Sequence, residues 1–201
     1  MPRTSERGGP VTRARILAVA NRLFVDRGYE AVTVAEIARE AGVSSVTVFN
    51  HFARKEDLFL DRADEAVELL HAAVRNEAAD PLTSLRELSF RLAADRHPLS
   101  GLADGSVPFF RTIAESPALV SRARAISAEL QRALAVELAE VFSGDGDATL
   151  LAALFMAGYG AILVETARRR IAGEPVDVVA EAHRARLDWL FTALRDGVSM
   201  R

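Results

Sequence analysis

Cysteine is absent from this 201-residue sequence. Its absence excludes a disulfide framework, a thiolate nucleophile and a thiolate metal site. Lysine is almost absent too: of 25 basic residues, only Lys55 is a lysine. With abundant alanine, that skew reads as GC-rich coding rather than as function. Histidine is scarce, and His51, His71, His97 and His183 stand too far apart for the His-x-x-x-His spacing of a helical metal site. Asp145-Gly146-Asp147 lacks the following oxygen ligands of a calcium loop. Gly158-Tyr159-Gly160 sits within a helical pattern, not in a phosphate-binding turn after a strand. No Gly-x-Ser-x-Gly occurs. The expectation is therefore no enzyme: no catalytic residue, no metal and no cofactor. No stretch is read as approaching roughly 18 uncharged apolar residues, so no membrane-spanning helix is expected. No apolar stretch follows Met1–Arg7, so no signal peptide is expected. A reducing bacterial cytoplasm fits these absences.

What is present is a chain that is 50% hydrophobic and 26% charged, ample for a packed core. The formal charge of -3 hides an asymmetry. Residues 1–55 carry nine basic and five acidic residues, a net +4. The remainder carries 16 and 23, a net -7. A basic segment joined to an acidic one is the footprint expected when one end of a chain meets phosphate.

The pattern is helical throughout, without the period-two alternation of a sheet. Residues 1–11 read as a basic, flexible arm. Thr12 reads as the N-cap of a first helix of about 15 residues, stopped by Gly28. Thr33-Val34-Ala35-Glu36 is a capping box opening a short second helix, with Ile37, Ala38 and Ala41 inward. Gly42 suits a turn of positive φ, Val43 plugs the corner, and Ser44 caps a third helix. On that helix Val48 and Phe52 share one face and belong to the core. Ser45, Val46, Thr47, Phe49, Asn50 and His51 are left for other faces. Helices then follow to Val74, over 82–95, 109–115, 117–142, 147–172 and 176–196. Asp80-Pro81, His97-Pro98, Ser116-Pro117, the loop 143–146 and Gly173-Glu174-Pro175 punctuate them. The fold expected is all-α with about nine helices: arm 1–11, helix-turn-helix 12–55, and a bundle 56–201.

Phe24-x-x-x-Gly28-Tyr29, Thr33-Val34-x-x-Ile37-Ala38-x-x-Ala41-Gly42-Val43-Ser44 and Thr47-Val48-Phe49-Asn50-His51-Phe52-x-x-Lys55-Glu56-x-Leu58 stand in one register. This quarter of the chain resembles the DNA-binding domain of the TetR family of bacterial transcription regulators. The resemblance implies a homodimer, a double-stranded DNA operator and a small-molecule inducer. It places His51 and Lys55 at phosphate-contacting positions, where with Thr47 they would set register rather than read sequence. The helix beginning at Val34 would offer its N–H groups to a phosphate, aided by the Thr33 hydroxyl. Ser45, Val46 and Asn50 are the candidates for base edges, Asn for adenine and Val for a thymine methyl. Phe49 departs from the Tyr common at its position and cannot donate the hydroxyl bond to phosphate. Arg3, Arg7, Arg13 and Arg15 add sequence-independent attraction.

In this family the remaining helices hold an inducer pocket and the dimer contact. Candidate pocket residues are Phe90, His97, Phe109, Phe110, Arg111, Met156, Tyr159 and Glu165. The run from Phe109-Phe110-Arg111 to Ser116-Pro117-Ala118-Leu119 loosely resembles regulators of acyl-CoA-like ligands. Candidate dimer residues are the small Ala153, Ala157, Gly160 and Ala161, with the stripe Leu187, Leu190, Phe191 and Leu194. The reading is a ligand-released repressor. The alternative is a small-molecule binding or sequestering protein whose DNA binding is weak or lost.

Overall fold

Alternating helical periodicity and Gly/Pro stops produce an all-helical chain. The computed structural model describes residues 5–76, 78–141 and 147–196. Among them are nine α-helices, two 3-10 turns and no strand. The helices are α1 (Ser5–Arg27), α2 (Val34–Glu40), α3 (Ser45–His51), α4 (Ala63–Val74), α5 (Pro81–Ala94), α6 (Ser106–Glu115), α7 (Pro117–Val141), α8 (Ala148–Ile171) and α9 (Val176–Asp196). The 3-10 turns are Lys55–Leu58 and Pro98–Ser100. The expected loop 143–146 and the first four residues of the expected arm, with Arg3, lie outside the described residues.

Two compact units form. The first comprises Met1–Asp61 with Ala114–Arg122, the corner where α6 ends and α7 begins. The second comprises Arg62–Ile113 and Ala123–Arg201. The division at residue 55 thus differs from the structural one. Counted over the first unit, ten basic residues meet nine acidic ones, a formal +1 rather than +4.

In the first unit, α1 begins earlier than expected. Its backbone is helical from Ser5, so Thr12 is an interior residue and not the N-cap. Pro10 is the sixth residue of the helix and removes one N–H from its hydrogen-bonded ladder. Ile16, Ala20, Leu23 and Phe24 form its buried face. Gly28 ends it at φ 81. Phe24, Tyr29 and Phe59 close a three-ring cluster with centroids 5.2 to 5.8 Å apart. Ile37, Val48, Phe52, Leu58 and Leu119 complete the core, each at most 3% exposed. The corner is tied in by polar contacts as well. Ser116 Oγ donates to Glu30 Oε1 at 2.5 Å, and Arg122 Nε donates to Asp57 Oδ1 at 2.6 Å.

The second unit is built on the α8–α9 pair, with α5 against α9 and α4 against α5. Leu85, Leu88, Leu134, Leu138, Phe155, Ile162, Leu187 and Phe191 belong to its core. Gly158 permits the close helix approach: a Cβ there would lie 2.3 Å from Leu190 Cδ1. A buried bond of 2.8 Å joins Thr166 Oγ1 and His183 Nδ1 across the pair. One expectation is corrected here. The 24-residue α8 carries a 17-residue run without charge, residues 148–164, and is long and apolar enough to cross a bilayer. Its inner face packs through Ala152, Phe155, Met156 and Ile162, while Leu150, Leu154 and Val164 on its outer face are more than half exposed.

Candidate nucleic-acid interface

The turn between α2 and α3 follows from its caps. The Thr33 N–H donates to Glu36 Oε2 at 2.8 Å, and Glu36 N–H donates back to Thr33 Oγ1 at 3.2 Å, so the capping box is complete. Gly42 takes φ 65 between the helices, which a side chain would strain. Ser44 Oγ accepts the Thr47 N–H at 3.0 Å and caps α3.

These caps fix which α3 side chains look outward. Val48 and Phe52 are 1% and 3% exposed and anchor the helix. The opposite face presents Val46 at 68%, Phe49 at 51% and an exposed Asn50. Ser45, Thr47 and His51 are half-buried at its flanks. Val46, Phe49 and Asn50 therefore lie together on the accessible face of α3, with Ser45, Thr47 and His51 along its edges.

Several polar groups are placed otherwise than the sequence suggested. The Thr33 hydroxyl donates to Glu36 Oε2 at 2.8 Å, so it is already engaged. The Glu36 carboxylate sits over the start of α2 beside Val34 and is also held by Arg27 at 2.8 Å. The Thr33 bonds and then Arg27 hold its pKa down, to about 2. The Thr47 hydroxyl lies 2.9 Å from Ser44 Oγ. Lys55 departs most. Its ammonium donates to the Tyr29 carbonyl at 2.6 Å and sits 4.1 Å over the Tyr29 ring. Desolvation lowers the Lys55 pKa, and burial, then Glu56, raises that of Tyr29. Arg13 stacks over the Phe52 ring at 4.8 Å. No short-range pattern could have revealed the Lys55–Tyr29 clamp, whose partners stand 26 residues apart.

The eight pocket candidates take part in several separate local contacts. Tyr159 donates to the Leu99 carbonyl at 3.3 Å, close to His97, whose Nδ1 accepts the Leu99 N–H and whose Nε2 lies 3.2 Å from Glu65. Phe109 and Phe110 meet edge to face at 5.7 Å. The Phe110 ring lies so close to Gly101 that a Cβ there would fall 2.8 Å from Cζ. Phe90 lies under the Arg86 guanidinium. Met156 is core, Arg111 is exposed, and Glu165 pairs with Arg168. A depression lined by Glu165, Thr166, Arg169, Val179, Ala182, His183 and Arg186 has no interior room for a water molecule.

The dimer candidates divide as well. Ala157 and Ala161 are exposed on α8, Ala153 and Gly160 partly so, and Leu194 is half-buried. Leu187, Leu190 and Phe191 are 0%, 7% and 4% exposed, filling the unit's own core and leaving little surface for a second copy. The large hydrophobic residues of α9 that face outward are Val178 and Trp189, at 50% and 65%. Trp189 stands two residues from the core residues Leu187 and Phe191, and helical spacing turns it to the opposite face.

Comparisons with known proteins agree with this geometry. Residues 16–61 match the family model of bacterial regulatory proteins, tetR family. The transcriptional activator FasR of Mycolicibacterium smegmatis is 39% identical over 75 residues, 37% of this chain and 32% of its own length. The transcriptional regulator TtgR of Pseudomonas putida is 35% identical over 92 residues, 44% of each chain. The chain thus spans less than half the length of these curated relatives. Over nearly the whole fold it is similar to Thermus thermophilus FadR, a TetR-family transcriptional repressor solved with lauroyl-CoA. That match has 27% identity and a TM-score of 0.57, covering 94% of this chain and 96% of FadR. With its caps, turn and outward-facing α3 in register, the segment 16–61 carries the tetR-family pattern, and the chain as a whole is similar to a TetR-family repressor.

Proposed function

We propose that this protein is a ligand-responsive transcriptional repressor that binds a palindromic operator as a homodimer in the bacterial cytoplasm. The observation that carries the reading is α3 itself, anchored by Val48 and Phe52 while Val46, Phe49 and Asn50 face outward. Two such helices at about 34–36 Å reach successive major grooves. The dimer contact is assigned to the outer face of α8, where Leu150, Leu154, Ala157, Ala161 and Val164 recur at helical spacing, with Trp189 of α9. The effector is assigned to a hydrophobic, acyl-CoA-like class. FadR, solved with lauroyl-CoA, supports that class. A ligand that binds a splayed dimer better than the DNA-bound one shifts the population and releases the operator.

Anisotropy titration of the dimer on the DNA upstream of its own gene tests the reading. Binding with a steep negative slope of log affinity against log salt is expected. No binding at low salt by a folded dimer sinks it. The engaged Lys55 and the hydroxyl-free Phe49 favour the alternative of a small-molecule binding protein with lost DNA affinity, and a flat salt slope would select that alternative. FasR is named an activator, so a reporter assay decides the sign of regulation.

A further inference from the structure

Part of the polar capacity at the start of α3 is already engaged. Ser44 and Thr47 spend their hydroxyls on each other and on the cap. Between Gly28 and Asp61, the large hydrophobic residues left exposed are Val46 and Phe49. They stand three positions apart, one turn of the same helix, with Asn50 adjacent. Phe49 has no hydrogen-bonding group to offer a phosphate oxygen. The edge of the major groove carries one apolar feature, the C5-methyl group of thymine.

Resting on the DNA-reading role above, we propose that Val46 and Phe49 form a single apolar surface that reads thymine methyls, so that Phe49 contacts base edges rather than the sugar-phosphate backbone. Asn50 then supplies the directional bonds, and the basic excess of residues 1–55 supplies the phosphate attraction. An apolar pair of this kind favours thymine over every other base in the groove. It does so without adding to the salt dependence, because no counterion is released by contact with a methyl group.

The test uses the full chain and an operator selected from random duplexes. Each thymine is replaced in turn by deoxyuridine, which keeps the pairing edge and the O4 acceptor but lacks the methyl. The wild type is expected to lose about fourfold per methyl read, the worth of one buried methylene-sized group. Val46→Ala and Phe49→Ala are expected to bind thymine and uracil duplexes equally at the position each reads, with an unchanged salt slope. Both residues are exposed, so the variants should melt like the wild type, which circular dichroism checks. A wild type that binds its operator but shows no thymine–uracil difference anywhere overturns the proposal. So does a Phe49→Ala variant that keeps the full thymine–uracil difference at every position while losing affinity equally for all duplexes, the signature of packing on the sugar-phosphate backbone. A wild type that selects no sequence at all refutes the DNA-reading role itself, a separate outcome.

Discussion

At the scale of single residues, Lys55 and His183 show how burial reassigns chemistry. The Lys55 ammonium closes the connection after α1 through the Tyr29 carbonyl and ring. Lys55→Met is therefore expected to lower the stability of the folded chain by about 1–2 kcal/mol, a partly exposed charged hydrogen bond plus a cation–π contact. An unchanged melting temperature with uniformly weakened DNA binding would instead return Lys55 to a purely phosphate-contacting role. His183 is 1% exposed and its Nε2 has no partner among the described residues. Desolvation, then Arg184, depresses its pKa to about 4. The neutral ring is the folded form, while the unfolded chain takes up a proton below about pH 6.5. Stability from this residue is thus complete above pH 6.5 and falls as the pH drops toward 4, by an order-of-magnitude 3 kcal/mol. Denaturant titrations across that window should show a shallower slope in His183→Asn. An identical slope in the variant would clear His183 of the effect.

At the scale of elements, helix identity follows from local signals, and helix spacing from contacts between helices. Gly158 is the clearest case. Alanine there gains helix propensity of about 1 kcal/mol, yet its Cβ would press on a Leu190 side chain that is itself buried. Overpacking of this kind costs about 1–3 kcal/mol, so a net loss in melting temperature is expected for Gly158→Ala. Adding Leu190→Ala removes the clashing atoms, and the double variant should show a favourable coupling. Strictly additive losses would mean that α8 and α9 do not meet at this pair. The helix-turn-helix was legible for a different reason. Capping boxes, serine caps and turn glycines act within four residues, so Thr33, Glu36, Gly42 and Ser44 announce themselves. Thr12 misled because a cap residue type also tolerates a helix interior, and α1 begins at Ser5.

At the scale of the whole molecule, α8 raises the question of what covers it. A 24-residue helix with an apolar outer stripe is poorly suited to water unless a partner buries it. Leu154→Glu, at a half-exposed position, should leave the fold intact and shift the chain to monomer in analytical ultracentrifugation. Operator affinity should fall with it, because two linked half-site contacts become one. A dimer that persists unchanged would place the contact elsewhere. The stripe Leu187, Leu190 and Phe191 was legible as apolar but not as to which surface it served. Helical periodicity marks a buried face without saying whether the burying partner is the same chain or a copy.

By itself, then, the sequence determined the all-α class, the helix-turn-helix register and the residues that anchor α3. Those depend on backbone caps and on periodicities of a few residues. The tertiary structure decided that Lys55 and Thr33 are already engaged, that α6 and α7 meet in the first compact unit, and that Gly158 brings α8 and α9 together at Leu190. Each of those outcomes depends on pairs of groups distant in sequence. Their meeting is set by how whole helices pack, and no local pattern encodes it.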